Sequence, residues 1–138
     1  MFKIKLPIRV DDIDLNGHVR GAVYVAYADH VRWQCLVEAG VNPLDLHTGG
    51  IGPINLRTEI DFRSELLMGS DVEVSCEFMW GEGKTFTVEQ HMHGEDGALA
   101  ATVRSVSGLL DLTSRRLVAD PAKRFLELAV KPELMGLL

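Results

Sequence analysis

One long helical pattern, at residues 22–39, constrains the fold more than any other feature of this 138-residue chain. Its first half reads AVYVAYA and is apolar on nearly every side, so we expect other elements to enclose it. Gly40 favours the end of a helix, and Pro43 follows shortly after it. A helix with so little polar surface has to be covered by a sheet or by other helices.

Five segments show the two-residue alternation that is typical of strands with one buried face. The first is 2–10, in which Pro7 indicates an edge position or an irregularity in the strand. The last, about 99–112, is apolar on both faces, which predicts a central position or an interface. The other three are 54–63, 71–80 and 85–93, and the turn sequences GEGK and GEDG flank the last of them.

These patterns predict one α+β domain over residues 1–138. Four of its five strands are linked consecutively by short turns, and its sheet surrounds the long helix. Asp120 and Pro121 predict the N-cap and first residue of a short C-terminal helix. The apolar end, PELMGLL, either packs on a neighbour or is loose.

Composition excludes several classes of protein. A net charge of −6 without a basic stripe argues against a nucleic-acid-binding protein. The alternating N-terminus has no signal-peptide core, and no apolar run reaches the length of a membrane span, so we expect a cytoplasmic protein. In that compartment Cys35 and Cys76 are interpreted as buried thiols, not as a disulfide.

Three polar side chains alternate immediately before the helix: Asp14, Asn16 and His18. Asn16 and Gly17 form a strong turn signal, so the three groups are expected on a tight connection that leads into a helix N-terminus near Gly21. An acid, an amide, an imidazole and a helix dipole can together polarise a carbonyl and deliver a nucleophile to it. The alternative is structural, because Asp and Asn before a helix often serve only as caps or Asx-turns.

The same stretch resembles the opening of the 4-hydroxybenzoyl-CoA thioesterase-like branch of the hot-dog-fold family. The resemblance continues through the central strand patterns to about Pro121. One departure is that relatives commonly have two Asn after His-Val, where this chain has Arg20 and Gly21. The matching residues are Asp12, Asp14, Gly17, His18, Val19, Tyr24, Tyr27 and Arg32.

The resemblance implies a hot-dog fold, in which a five-stranded antiparallel sheet wraps around one long helix. It also implies an acyl-CoA substrate, no metal or redox cofactor, and a homodimer or homotetramer with substrate channels at the subunit boundary. Asp14 maps onto the family's catalytic carboxylate. Lys84 and Thr85 lie where the family often holds the phosphate or adenine of CoA.

We therefore expect hydrolysis of an acyl-CoA thioester. The backbone N–H at Gly21 would bind the thioester oxygen, and Asp14 would act as general base or as nucleophile. Asn16 and His18 would orient the reacting groups. Tyr24 is one turn from this site and is interpreted as a core residue or a substrate contact.

Other assignments stay open from the sequence. The D-x-N-x-H spacing resembles the catalytic set of plant-type acyl-carrier-protein thioesterases. A hot-dog dehydratase or a non-catalytic binding module is a further alternative. Asp29, which we expect to pair with Arg32, is the reserve catalytic carboxylate, because another hot-dog branch uses a carboxylate within this helix. His91 and His93 share one face of a strand but lack a third metal ligand at a suitable spacing.

Overall fold

A curved sheet of five antiparallel strands, in the order β1-β3-β4-β5-β2, forms the framework of the protein in the computed structural model, which describes residues 1–137. The helices lie between and after the strands along the chain. The strands are β1 (Phe2–Pro7), β2 (Ile51–Phe62), β3 (Asp71–Trp80), β4 (Thr85–His93) and β5 (Leu99–Asp111), and the helices are α1 (Gly21–Glu38), α2 (Pro43–Thr48) and α3 (Pro121–Leu128).

The connection between β2 and β3 differs from the expected run of short turns. The strands β3, β4 and β5 form two hairpins, but β2 pairs with β5 and not with β3. The reason is that β1 occupies the free side of β3, with Phe2 opposite Cys76 and Pro7 opposite Asp71. Residues 63–70 therefore cross from one edge of the sheet to its other half. This crossing segment contributes to the site described below.

Both positional predictions for strands are confirmed. The strand with Pro7 is an edge strand, and β5 is paired on both sides. The inner face of β5 is less apolar than predicted, since the buried residues on it include Ser105 and Ser107. These hydroxyl groups give the inner face of the sheet a polar patch beneath α1.

The long helix α1 ends as the sequence predicts. Gly40 adopts a φ of 91°, its N–H donates to Val37 O at 3.0 Å, and the N–H of Val41 donates to Leu36 O at 2.8 Å. This pair of bonds is the Schellman arrangement. A side chain at position 40 would also collide with Val130, whose Cγ2 would lie 2.7 Å from an added Cβ.

Helix α1 is covered on only one side within the chain. Val31 and Cys35 are completely buried against the sheet, and Gln90 of β4 donates to the Ala28 carbonyl oxygen at 2.8 Å. Ala22 and Ala26, one turn apart, are exposed on the opposite side. The prediction that the whole first half is enclosed is therefore wrong for a single chain, because the chain covers only one face of the helix.

The C-terminal segment packs on the protein's own core. Asp120 caps α3 by accepting from the N–H of Lys123 at 3.2 Å, as predicted. Phe125 and Met135 are fully buried, and the indole of Trp80 donates to the Met135 carbonyl oxygen at 2.6 Å. Cys35 and Cys76 are buried free thiols. Within residues 1–137, none of the helices is both long and apolar enough to cross a membrane.

Candidate active site

The loop before α1 holds Asp14 in a tight turn. The N–H of Asn16 donates to Asp14 Oδ1 at 2.8 Å, and the N–H of Gly17 donates to the Asp14 carbonyl oxygen at 3.1 Å. Gly17 has a φ of 79°, which suits glycine at this position of the turn. The Asx-turn predicted as the structural alternative therefore exists, and it leaves Asp14 Oδ2 free to contact another group.

His18 lies between two carboxylates. Its Nε2 is 3.2 Å from Asp14 Oδ2, and its Nδ1 is 3.0 Å from Glu65 Oε2. A neutral imidazole carries only one N–H, so both contacts are hydrogen bonds only when the ring is protonated. The hydrogen bond to Glu65, with the negative charges of Asp14 and Glu65, raises the pKa of His18 although partial burial opposes this. The two carboxylates therefore favour the protonated form of the ring and hold its orientation from both sides.

Glu65 is the residue that the sequence did not reveal. It belongs to the crossing segment 63–70, and it meets His18 because the N–H of Val19 donates to the Leu66 carbonyl oxygen at 2.9 Å. In the sequence it stands in a polar run between two strand patterns, which is ordinary for a loop. No local signal marks it.

The N-terminus of α1 has unpaired donors. Arg20 precedes the helix in an extended conformation and makes no side-chain cap. Gly21 and Ala22 are the first two helical residues, and within residues 1–137 neither N–H has a hydrogen-bond partner. These N–H groups and the helix dipole together form a potential oxyanion-binding position.

A cavity of about 360 Å³ lies at this helix end. Tyr24 and Phe62 form its apolar wall, with their rings edge to face and 5.0 Å apart between centroids. Burial raises the pKa of the Tyr24 hydroxyl, so this group is neutral near pH 7. His18, Gly21 and Glu65 contribute the polar wall, whereas Asp14 is behind His18 and does not line the cavity.

The sequence profile of the thioesterase-like superfamily matches residues 8–131, which include all of the elements of this site. The chain belongs to the thioesterase-like superfamily. This confirms the predicted hot-dog thioesterase family, and the sheet order and long helix agree with that fold. No curated protein shows significant similarity to the sequence.

Several solved structures have a similar fold. A 1,4-dihydroxy-2-naphthoyl-CoA thioesterase from Synechocystis has a TM-score of 0.82 at 15% identity, covering 91% of this chain and 92% of that one. A hypothetical protein from Staphylococcus aureus, solved in complex with CoA, has a TM-score of 0.83 at 21% identity, covering 91% and 79%. A probable thioesterase from Escherichia coli has a TM-score of 0.81 at 19% identity, covering 95% and 100%. These likenesses show the fold.

Within this thioesterase-like chain, some predicted site residues lie apart from the cavity. Asn16 is exposed in the turn, and its side chain has no hydrogen-bond partner among residues 1–137. Lys84 and Thr85 lie at the opposite end of the sheet, because Thr85 pairs with Gly108 whereas Phe62 pairs with Ala101. Seven residues of strand separate those positions, about 23 Å. One chain therefore does not bring Lys84 to the candidate active site.

Asp29, the reserve catalytic carboxylate, forms an ion pair on α1. Asp29 Oδ1 is 2.7 Å from an Arg32 guanidinium nitrogen, which confirms the predicted ion pair. His91 and His93 lie on the outer face of β4, and His91 contacts Glu89 at 2.9 Å. Residues 1–137 contain no group of three side chains suited to a metal ion.

Proposed function

We propose that this member of the thioesterase-like superfamily hydrolyses acyl-CoA thioesters. The observation that carries the proposal is the pair of unpaired N–H groups at Gly21 and Ala22 beside His18, which contacts two carboxylates. Such fixed donors stabilise the negative charge that forms on a thioester oxygen in the transition state, and loss of one donor costs about a hundredfold or more in rate. The adjoining cavity of about 360 Å³ has room for the thioester and the first atoms of its acyl group.

In the proposed reaction Asp14 carries the chemistry by one of two routes. As general base, it takes a proton from water while the water oxygen bonds to the carbonyl carbon, and collapse of the tetrahedral intermediate breaks the C–S bond. As nucleophile, it bonds to the carbonyl carbon and expels CoA thiolate, and water then hydrolyses the anhydride. In both routes His18 lines the cavity, and its positive charge, when the ring is protonated, stabilises the departing thiolate.

A second assignment of roles is favoured by one observation. His18 lines the cavity and Asp14 does not. In this alternative a neutral His18 would be the base, and Asp14 and Glu65 would only orient it. The raised pKa of His18 opposes this alternative, because it favours the protonated imidazole and a general base must be unprotonated.

We propose CoA as the carrier in preference to an acyl carrier protein. The Staphylococcus aureus structure of similar fold contains CoA. An acyl carrier protein is strongly acidic, and the net charge of −6 on this chain opposes its docking. Lys84 and Thr85 remain our candidates for contacts to the CoA nucleotide, but only if they come from a second subunit.

We further propose a homodimer that pairs β2 edge to edge. The outer side of β2 has no partner strand within residues 1–137, and Leu56 and Phe62 of this strand are 49% and 58% exposed. The uncovered side of α1 borders this edge, because Arg32 contacts Asn55 and Tyr24 contacts Phe62. Two-fold pairing satisfies the open edge and covers both apolar surfaces. It also turns the Ile51 end of one copy toward the Phe62 end of the other.

A hydrolysis screen tests the proposed function. Purified protein is mixed with acyl-CoA thioesters of different chain length, with aryl-CoA thioesters and with the same acyl groups on a carrier protein, and free thiol is measured. We expect CoA release well above the uncatalysed rate for at least one acyl-CoA, and a rate at least about a hundredfold lower in Asp14→Asn. If only the carrier-protein esters are hydrolysed, the carrier is an acyl carrier protein and not CoA. If no ester releases thiol, the assignment as a thioesterase is refuted.

A further inference from the structure

The two cysteines of the chain meet in the core between α1 and β3. Cys35 of α1 is completely buried, and Cys76 of β3 is 1% exposed. The Cys35 thiol donates to the Leu134 carbonyl oxygen at 3.5 Å. The Cys76 thiol donates in turn to the Cys35 sulfur. Two thiols from elements that are distant in the sequence are therefore in hydrogen-bond contact, and the proposed reaction at His18 uses neither of them.

This hydrogen bond makes the two thiols unequal. It lowers the pKa of Cys35 although burial opposes this, because the S–H of Cys76 stabilises the thiolate that accepts from it. The same bond, together with burial, raises the pKa of Cys76. The thiolate is the form of cysteine that attacks electrophiles. Cys35 is therefore the nucleophile of the pair, and Cys76 is the thiol that stays protonated beside it.

A cavity of about 300 Å³ connects this pair with the surface. Cys76 belongs to its wall, and so does Leu134, the hydrogen-bond partner of Cys35. Met1 and Glu133 belong to the same wall and are exposed, so the cavity opens to solvent. One water molecule takes up about 30 Å³ in the liquid, so hydrogen peroxide, with two oxygen atoms, fits easily. A small oxidant in this cavity lies beside both thiols.

We propose that Cys35 and Cys76 form a peroxide-sensitive site, which closes to an intramolecular disulfide and so makes the stability of the fold depend on oxidants. The Cys35 thiolate attacks one peroxide oxygen, an S–O bond forms, and the O–O bond breaks. The departing hydroxide takes up the proton that Cys35 lost. The Cys76 sulfur then attacks the sulfur of Cys35, the S–S bond forms, the S–O bond breaks, and the second hydroxide takes the Cys76 proton. The two sulfurs together lose two electrons, the peroxide gains them, and two water molecules leave.

The disulfide joins the middle of α1 to β3. Sulfurs that are already in contact need only a short approach to reach the bond length of about 2.0 Å. The link closes a loop of about 40 residues, which restricts the unfolded chain and therefore stabilises the folded state. This consequence concerns the stability of the fold, so the proposal does not depend on the proposed thioesterase function.

Peptide mapping after oxidation tests the disulfide. The purified full chain is treated with hydrogen peroxide, the remaining thiols are blocked with a maleimide, and a tryptic digest is analysed by mass spectrometry without reductant. We expect residues 33–57, which contain Cys35, to be joined to residues 64–84, which contain Cys76, and dithiothreitol to separate them. On a non-reducing gel the linked protein should run as a single chain. Unlinked peptides, or a link only between two chains, would overturn the proposal.

Thermal unfolding with and without dithiothreitol measures the consequence for stability. We expect the midpoint of the oxidised protein to lie about 5 °C or more above that of the reduced protein. Cys76→Ala cannot form the link, so its midpoint should be the same with and without prior peroxide treatment. A linked wild type whose midpoint does not rise would refute the coupling between oxidation and stability.

Single cysteine variants test the order of the two steps. In Cys76→Ala the sulfenic acid on Cys35 has no thiol to react with, so dimedone, which traps sulfenic acids, should label residues 33–57. In Cys35→Ala we expect almost no label on Cys76, because burial keeps this thiol protonated. Equal labelling in the two variants, or stronger labelling of Cys76, would contradict the assigned nucleophile.

Two leucine variants test the route of the oxidant while both cysteines stay in place. Leu134→Ala widens the cavity beside the pair and should speed disulfide formation severalfold. The matched control, Leu126→Ala, removes the same atoms from α3, where Leu126 is 40% exposed and outside the cavity wall, and should leave the rate unchanged. The same rate in Leu134→Ala as in the wild type would show that peroxide does not enter through this cavity.

Discussion

Tyr27 of α1 donates its hydroxyl hydrogen to Asp12 Oδ2 at 2.8 Å. This bond ties the loop that contains Asp14 to the long helix that follows it. Burial, and then the hydrogen bond and negative charge of Asp12, raise the pKa of Tyr27 well above its ordinary value, so the phenol stays protonated as the donor. The two Asp residues of the D-x-D pair thus have different tasks: Asp12 anchors the loop, and Asp14 faces His18.

Removing this anchor should weaken both stability and catalysis. We expect Tyr27→Phe to lower the free energy of unfolding by about 1.5–3 kcal/mol, the range for a hydrogen bond to a charged group. Urea denaturation measures this loss. Asp12→Asn retains an acceptor oxygen, so its loss should be smaller. An equal loss in both variants would show that the charge of Asp12 matters more than the bond.

Asp14→Asn should reduce turnover by about a hundredfold to ten-thousandfold. The fold should persist, because the Asn side-chain oxygen can still accept from the N–H of Asn16 in the turn. Steady-state thiol release measures the effect. The matched control is Asp11→Asn in the same loop, because among residues 1–137 the Asp11 side chain contacts only Arg9, in an exposed ion pair, and activity should stay near that of the wild type. Full activity in Asp14→Asn would show that Asp14 is not the catalytic carboxylate, and Asp29 would then be the next candidate.

Glu65→Gln should lower the pKa of His18 toward its ordinary value, because the hydrogen bond to Glu65 is the largest cause of the upward shift. NMR titration of the imidazole protons measures the pKa. Glu77→Gln, an exposed substitution on β3, is the control and should leave the pKa unchanged. An unchanged His18 pKa in Glu65→Gln would contradict the arrangement in which Asp14 and Glu65 hold the ring between them.

The raised pKa of His18 also predicts how the stability of the fold changes with pH. A folded-state pKa raised above 6.5 means that the protonated His18 favours the folded state below pH 6.5, and that this contribution is lost as pH rises through the raised pKa. The wild type should therefore exceed His18→Gln in stability by more at pH 6 than at pH 9. Thermal unfolding at both pH values measures the difference.

Leu56→Asp should break the proposed dimer, since it places a charge on the open edge of β2. Sedimentation velocity at micromolar concentration should show a dimer for the wild type and a 15.3 kDa monomer for the variant. Val10→Asp changes an equally apolar residue that is 77% exposed away from this edge, so this control should remain dimeric. An active wild-type monomer would refute the edge pairing.

Lys84→Glu should raise the KM for acyl-CoA, and more strongly at low salt, while kcat at saturation changes little. The expected cause is loss of a contact to the CoA phosphates across the subunit boundary. Hydrolysis of a pantetheine thioester, which lacks the nucleotide, should be nearly unaffected. Lys123→Glu makes the same charge change at another exposed lysine and should leave both KM and kcat unchanged. An unchanged KM for acyl-CoA in Lys84→Glu would show that Lys84 does not contact the substrate.

Local order was readable from the sequence because periodicity and turn chemistry act over a few residues. The pattern at 22–39 predicted α1, which runs Gly21–Glu38, and Gly40 ends it in the predicted manner. The Asp14 turn and its proximity to His18 also follow from a span of five residues. The prediction that a short turn links β2 to β3 was wrong for the same reason. Alternation of apolar and polar residues identifies a strand but does not show which strand pairs with it.

The sequence by itself determined the family, the helix and strands, and the turn that holds Asp14 and His18. Only the tertiary structure decided that β1 takes the place beside β3, because sheet order depends on which distant edges satisfy each other's hydrogen bonds. That choice sends residues 63–70 across the sheet and brings Glu65 to His18 over a separation of 47 residues. It also keeps Lys84 at the far end of the sheet. Side chains so distant along the chain meet only through the packing of whole elements, which no local pattern records.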